Sequence, residues 1–333
     1  MKALHIRAEY SRMPKGELFY DKVREICEYH DIPHDYNMSE EDFVDMIGQY
    51  DVLITTWNNI PIPASLAKKP GKLKYIINLS GSLNEWIPLE LTQSKDFVVT
   101  NWGDAQAFRV AEGAVALLFA VLKDMPTYVL NTRAGTRGRG DCVGGTLYKA
   151  RVGIYGMGYI GVRFVDMIKP FNPKIFVFDP YVENLPEGCI RVSSLDELCA
   201  NTDIFVVHAG RSPETIDSIT ARHLAMLPDN AVVINTARGE LFVQDDLFAE
   251  IKSGRIRAGL DVLYFDDKLE PDDPIRQCPN FIFSAHSAGG GNWPVTEGEL
   301  DLMYEIALDN LRRFKNKQPL KFIMDPVRYM RST

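Results

Sequence analysis

The apolar positions fall into short runs separated by amphipathic stretches. Ala3–Ile6, Asp51–Thr56, Lys74–Leu79 and Phe97–Thr100 are runs of four to six mostly apolar or β-favouring residues and predict strands. Between them, Gly16–Tyr29 places Leu18, Val23, Ile26 and Cys27 roughly on one helical face, and Glu40–Gly48 reads as a second helix. The pattern changes from residue 104 to about 130. Phe108, Val110, Ala111, Val115, Leu117, Leu118, Ala120 and Val121 cover most of a helix's girth, so this helix is expected to be buried. Arg133–Gly145 is rich in Arg and Gly and reads as a loop. The alternation then resumes, with strands at Lys174–Asp179, Asp203–His208, Ala231–Asn235, Ile256–Val262 and Phe281–Ala285. Helices are expected at Leu195–Ala200, Ala221–Met226 and Asp245–Ser253, and a last one, Thr296–Phe314, is long enough to return to the first part of the chain. Regular strand–helix alternation points to parallel sheets covered on both faces. A length of 333 residues suggests two such doubly wound domains, each with its own core.

Composition narrows the classes of partner. With 46% hydrophobic and 25% charged residues the chain has an ordinary globular balance. A net charge of −8 and the lack of a basic stripe argue against nucleic acid. Cys27, Cys142, Cys189, Cys199 and Cys278 are scattered, which suggests reduced thiols in a cytoplasmic protein. No apolar run approaches membrane-spanning length, and the N-terminus reads as a strand and not as a signal peptide. The histidines show no metal-ligand spacing, so no metal is expected.

One stretch carries specific chemistry. Val152–Gly161 reads Gly156-Met157-Gly158-Tyr159-Ile160-Gly161 after an apolar run and before an apolar helical stripe of Ile160, Phe164, Val165 and Ile168 that Pro170 stops. Gly156 permits a tight turn, Gly158 lets backbone approach a pyrophosphate, and Gly161 lets helix pack on strand. The helix N-terminus then offers free amides to the phosphates. Asp179 ends the next strand, 18 residues after Gly161, the spacing at which a carboxylate meets an adenosine ribose. No Arg stands beside Asp179 in sequence to take a 2′-phosphate, so NAD is expected over NADP.

Three groups follow later strands, where a nicotinamide ring would lie: Arg238, an acidic cluster at 266–270, and His286. Hydride transfer to a carbonyl needs a proton donor and a cation for the substrate. Histidine titrates near neutral pH and suits the first. The arginine fork grips a carboxylate and suits the second. His208 also follows a strand, which points to a cofactor-pocket role. In the first domain, Thr55–Asn58 and Leu79–Asn84 follow strands, and Gly81 with its neighbours can offer amides to a carboxylate.

The chain is similar to the D-isomer-specific 2-hydroxyacid dehydrogenases, most strongly from about 104 to 290. The likeness is carried by Val110-Ala111-Glu112, the Gly156–Gly161 loop, Ile234–Glu240 with its Asn-x-x-Arg-Gly, Gly259–Val262, and Ala285-His286 before a glycine run. The resemblance implies an α/β fold of two doubly wound parallel-sheet domains. It further implies a Rossmann NAD-binding domain (103–302) inserted into a flavodoxin-like substrate domain (1–102 plus 303–333). It implies a 2-oxo acid substrate held by Arg238, proton donation by His286, and cofactor contacts that include Thr236, Ala237 and Asp261. Backbone contacts to substrate are implied around Ser80, Gly81 and Ser82, as is a homodimer built on the nucleotide domain. One departure stands out. The family normally has Asp-Val-x-x-x-Glu-Pro, with that Glu paired to the His. Counting forward from Asp261 puts the acid here at Asp266, counting back from His286 puts it nearer Asp267, and Glu270-Pro271 keeps the dipeptide further along. Asp266 is favoured, because the preceding strand sets its position. The altered loop also leaves a rival reading, a non-catalytic NAD-sensing binding protein on the same fold.

Overall fold

The structure, a computed structural model, describes residues 1–7, 16–33, 37–57, 60–81, 83–84, 86–136, 142–264, 268–290 and 299–331. The chain divides into two compact units, Met1–Ala105 with Trp293–Thr333, and Gln106–Asn292.

In the first unit the order is β1 (Lys2–Arg7), α1 (Gly16–Ile26), β2 (Glu28–Pro33), α2 (Glu40–Ile47), β3 (Val52–Thr55), β4 (Tyr75–Asn78), α3 (Leu89–Thr92) and β5 (Val98–Thr100). Among the described residues these strands form one sheet in the order β2-β1-β3-β4-β5, every pairing parallel. This is the flavodoxin-like order. The period of two divides each strand between two cores. Leu53 and Ile76 face one layer with Phe43 and Leu66, while Val52, Ile54, Tyr75 and Ile77 face the other with Phe19 and Tyr304. Helix α1 stops at Ile26, and β2 takes Glu28–Tyr29, which the periodicity assigns to the helix. β2 is a polar edge strand paired only with β1, so burial leaves little apolar pattern on it.

The second unit begins with α4 (Ala107–Leu122) and α5 (Met125–Ala134), then β6 (Arg151–Tyr155), α6 (Tyr159–Ile168), β7 (Lys174–Phe178), β8 (Cys189–Arg191), α7 (Leu195–Ala200), β9 (Ile204–Val207), α8 (Ala221–Leu224), β10 (Val232–Asn235), α9 (Gln244–Lys252), β11 (Arg257–Leu260) and β12 (Phe281–Phe283). The sheet order is β12-β11-β10-β9-β6-β7-β8, again all parallel. The order reverses between β6 and β9, which is the doubly wound Rossmann arrangement and opens a crevice at the carboxyl ends of those two strands. Phe205 and Val207 of β9 join one core and Ile204 and Val206 the other, so both faces are covered. Strand β8, on the far edge, carries too few apolar residues to register as a pattern.

The apolar stretch 104–130 is not one buried helix. It breaks at Lys123–Asp124, where Asp124 has φ of 54°, and the two halves bend by 58°. Ala111, Ala114, Leu117, Leu118 and Val121 of α4 are buried in the core, but Phe108 is exposed and α5 buries nothing. Among the described residues no single helix is long and apolar enough to cross a membrane. The chain then returns to the first unit as α10 (Leu302–Lys315) and α11 (Pro326–Arg331). The expected start of this helix, Thr296, lies outside the described residues; α10 lays Met303, Tyr304, Ala307, Leu308 and Leu311 on the core.

Candidate active site

The turn from β6 into α6 is built by its glycines. Gly156 has φ of 91°, and a Cβ there would lie 2.4 Å from the Ala209 backbone. A Cβ on Gly161 would lie 2.8 Å from the Gly156 carbonyl oxygen. Both positions therefore exclude a side chain. Gly158, at the N-cap of α6, has nothing within 4 Å of the place a Cβ would take, so this side of the turn is open to a ligand. Met157 is buried, Ile160 half-buried and Tyr159 exposed.

Asp179, just past β7, is tied to the same turn. Its Oδ2 accepts the Met157 amide at 2.7 Å, and its Oδ1 accepts those of Tyr181 and Val182 at 2.8 and 3.2 Å. An open glycine turn at a helix N-terminus, with a carboxylate anchored beside it, fits the phosphates and adenosine ribose of a dinucleotide. The structure also places an arginine here that neighbours in sequence do not reveal. Arg191 of β8 donates to the carbonyls of Asp179, Val182 and Glu183, at 3.0, 2.6 and 3.1 Å. Its cation is spent on main chain, where it holds the loop that carries the acid.

His208 follows β9 against this turn, and its amide donates to the Tyr155 carbonyl. Its ring packs edge-on against Phe164, Nδ1 lies 3.5 Å from Thr236 Oγ1, and Nε2 is buried with no hydrogen-bond partner among the described residues. Burial pushes the imidazole down to about 3, so it is neutral at working pH.

After β10 the Asn-x-x-Arg segment folds around its asparagine. Asn235 Oδ1 accepts the Ala237 amide and Nδ2 donates to the Arg238 carbonyl. Thr236 and Ala237 are buried, whereas Arg238 is half-buried and donates to the Ala237 carbonyl. Gly239 lies against the Leu263 backbone, and a Cβ there would come within 1.9 Å of the Leu263 carbonyl carbon. The residue after Leu263, Tyr264, donates its amide to Gln244 Oε1, a residue that the sequence reading does not single out. Asp266 and Asp267 lie outside the described residues, as does Ser82.

Asp261, buried after β11, gathers the turn that follows β12. Its Oδ1 accepts Ser284 Oγ at 2.6 Å and the amides of Ser287 and Ala288 at 2.8 and 2.9 Å, while its carbonyl accepts the His286 amide. His286 is exposed at the tip of this turn. The sequence reading passes over Ser284, since a lone serine near a strand end carries no signal of its own.

The strand order therefore lines up His286 (after β12), Asp261 (β11), Thr236–Arg238 (β10), His208 (β9), Gly156–Gly161 (β6) and Asp179 (β7) along the carboxyl edge of one sheet. Adjacent strands are about 4.8 Å apart, so such a row suits an extended ligand lying across several of them. In the first unit, Ser80 and Gly81 follow β4. Ser80 is fully buried, with Oγ accepting Asn78 Nδ2 at 2.7 Å, and Asn78 Oδ1 accepts Thr55 Oγ1. Gly81 is packed on the Trp102 indole, where a Cβ would lie 2.6 Å from Nε1, and Asn101 donates to its carbonyl. Trp57 meets Trp102 edge-on at 4.9 Å. Among the described residues no group of three or more His, Cys, Asp or Glu is placed to hold a metal.

Residues 115–288 match the pattern of the D-isomer specific 2-hydroxyacid dehydrogenase, NAD binding domain. The chain belongs to the D-isomer-specific 2-hydroxyacid dehydrogenase family. Among other family members, it is 29% identical over 273 residues to D-3-phosphoglycerate dehydrogenase of Methanocaldococcus jannaschii, covering 81% of this chain and 51% of that one. It is 26% identical over 294 residues to hydroxypyruvate reductase of Blautia hydrogenotrophica, covering 85% and 88%. The chain spans about half the length of the curated phosphoglycerate dehydrogenases it matches. The structure superimposes on an acyclic imino acid reductase in complex with NADPH and D-Arg with a TM-score of 0.78 at 25% identity, covering 97% of this chain and all of that one. D-2-hydroxyisocaproate dehydrogenase shares the fold, with a TM-score of 0.77 at 22% identity over 97% and 99% of the two chains. The family's NAD-binding domain is thus the part of this chain that carries the glycine turn, Asp179, Arg238, Asp261 and His286.

Proposed function

We propose that this dehydrogenase uses NAD(H) to interconvert a 2-oxo acid and a D-2-hydroxy acid. The observation that carries the reading is the row from Asp179 to His286 along one sheet edge, within a domain of this family. When bound, the nicotinamide would supply the redox chemistry, NADH giving a hydride to C2 of the 2-oxo acid and NAD+ taking one from C2 of the hydroxy acid. The chain's own residues do the rest. Amides at the start of α6 would hold the pyrophosphate, and Asp179 would accept from the adenosine ribose hydroxyls. The arginine fork of Arg238 holds the substrate carboxylate through paired hydrogen bonds. His286 gives its proton to the carbonyl oxygen as negative charge develops there, and takes it back in the reverse direction. An acid near Asp266 stabilises the charged imidazole. The amides of Ser80 to Ser82 are assigned to substrate on the family resemblance.

The same proposal makes the protein a cytoplasmic homodimer joined through the nucleotide domain. Met125, Tyr128, Val129 and Leu130 are exposed together on α5 and support an association surface there.

The test is NADH oxidation against a panel of glyoxylate, hydroxypyruvate and phenylpyruvate, with NADPH in parallel and His286→Ala as control. Turnover with at least one acid, falling about 10²- to 10⁴-fold in the control, is expected. Faster turnover with NADPH would overturn the reading of Asp179. Tight NADH binding with no turnover on any acid would move the protein to the non-catalytic, NAD-sensing class.

A further inference from the structure

The turn after β12 has two consecutive residues in the left-handed region, Ala285 at φ 51° and His286 at φ 55°. A Cβ is disfavoured in that conformation, and two such residues in succession persist only where the surroundings impose them. The surroundings here are specific. One buried oxygen, Asp261 Oδ1, accepts three donors, and all three come from this turn: Ser284 Oγ before the pair, Ser287 N and Ala288 N after it. The Asp261 carbonyl takes the His286 amide between them. Asp261 is itself fixed to the sheet, because its amide donates to the Asn235 carbonyl of β10. The far side of the turn is seated on α4. A Cβ on Gly113 would lie 2.2 Å from the Ala288 carbonyl oxygen, and one on Gly289 would lie 2.7 Å from Val110 Cγ2.

We propose that Asp261 is a positioning residue for His286. Its carboxylate holds Ala285–His286 in the left-handed conformation and so sets where the imidazole is presented. Three donors converge on one oxygen, and a carboxylate accepts such bonds more strongly than the neutral amide oxygen of an asparagine. This goes beyond the nicotinamide contact that the family resemblance implies for Asp261. Oδ2 takes no hydrogen bond from the described residues, so the two roles use different oxygens. The inference rests on the reading of His286 as the proton carrier.

The experiment compares the full-length protein, Asp261→Asn and Asp261→Asn with Ala285→Gly. Glycine removes the left-handed penalty, so a turn that has lost its anchor recovers part of its geometry. Three readouts are taken: amide hydrogen exchange of residues 284–290 without ligand, NADH affinity by fluorescence titration, and kcat with glyoxylate, hydroxypyruvate and phenylpyruvate. Asp261→Asn is expected to speed exchange at Ser287 and Ala288 at least tenfold and to lower kcat. Adding Ala285→Gly is expected to recover kcat about tenfold while NADH affinity stays at the single variant's value. Unchanged exchange in Asp261→Asn, or no recovery with Ala285→Gly, would overturn the proposal and leave Asp261 as a direct cofactor contact. If Asp261→Asn fails to fold, Ser284→Ala removes one donor and leaves the acid intact. Exchange at Ser287 and Ala288 then rises if the proposal holds and is unchanged if it fails. Full turnover by His286→Ala would sink the proton-carrier reading instead, while the exchange data still decide whether Asp261 holds the turn.

Discussion

His208 shows how far the fold can move a single residue's chemistry. Its ordinary value is near 6.5, and burial alone takes it to about 3. The folded protein therefore keeps the ring neutral, while the unfolded chain protonates it below about pH 6.5. The unfolded state binds more protons in that window, so stability falls as pH drops from 6.5 toward 3. At pH 5 the loss from this residue is about 2 kcal/mol. His208→Asn removes the titration, so its melting temperature is expected to fall less between pH 7 and pH 5 than that of the parent. Equal losses in thermal unfolding would mean that the buried ring takes up a proton in the native state. The sequence shows a histidine after a strand and suggests a cofactor-pocket role. Its neutrality comes from burial, and the neighbours folded against it include Phe164 and Thr236, which are 44 and 28 residues away and which only folding brings to it.

At the level of elements, the turns that carry the site are set by close approach. Gly239 is the tightest of them, with the Leu263 backbone where a side chain would begin. Gly239→Ala is expected to cost about 3 kcal/mol, because backbone and not a mobile side chain must give way. The measurement is a thermal melt, and an unchanged melting temperature would show that Leu263–Tyr264 moves freely. The strands buried on both faces were legible from their apolar runs, since a central parallel strand has no polar side to interrupt them. β2 and β8 were not, because each lies on a sheet edge and has no fully buried residue. The break between α4 and α5 was also hidden. The apolar residues continue through it, and the bend depends on Asp124, whose carboxylate accepts from Thr127 Oγ1 and the Val143 amide.

For the whole molecule, the exposed apolar residues of α5 are the feature with the largest consequence. A helix that buries none of its residues yet exposes Met125, Tyr128, Val129 and Leu130 gains by association. Val129→Glu with Leu130→Glu is expected to convert a dimer into monomers, read by size-exclusion chromatography with light scattering, without lowering NADH affinity. A monomeric parent protein would remove the argument.

The strand–helix alternation, the glycine turn with Asp179 at its proper distance, and the Asn235-to-Arg238 segment were determined by the sequence alone. Each is a local pattern in which burial or turn chemistry dictates residue type over a few to some twenty positions. Tertiary structure decided how those segments act together. It brought Arg191 to the main chain of Asp179, sealed His208 away from protons, and tied the His286 turn to Asp261 across more than twenty residues of chain. Such long-range hydrogen bonds and close backbone approaches depend on which strands become neighbours, and no spacing along the chain encodes that.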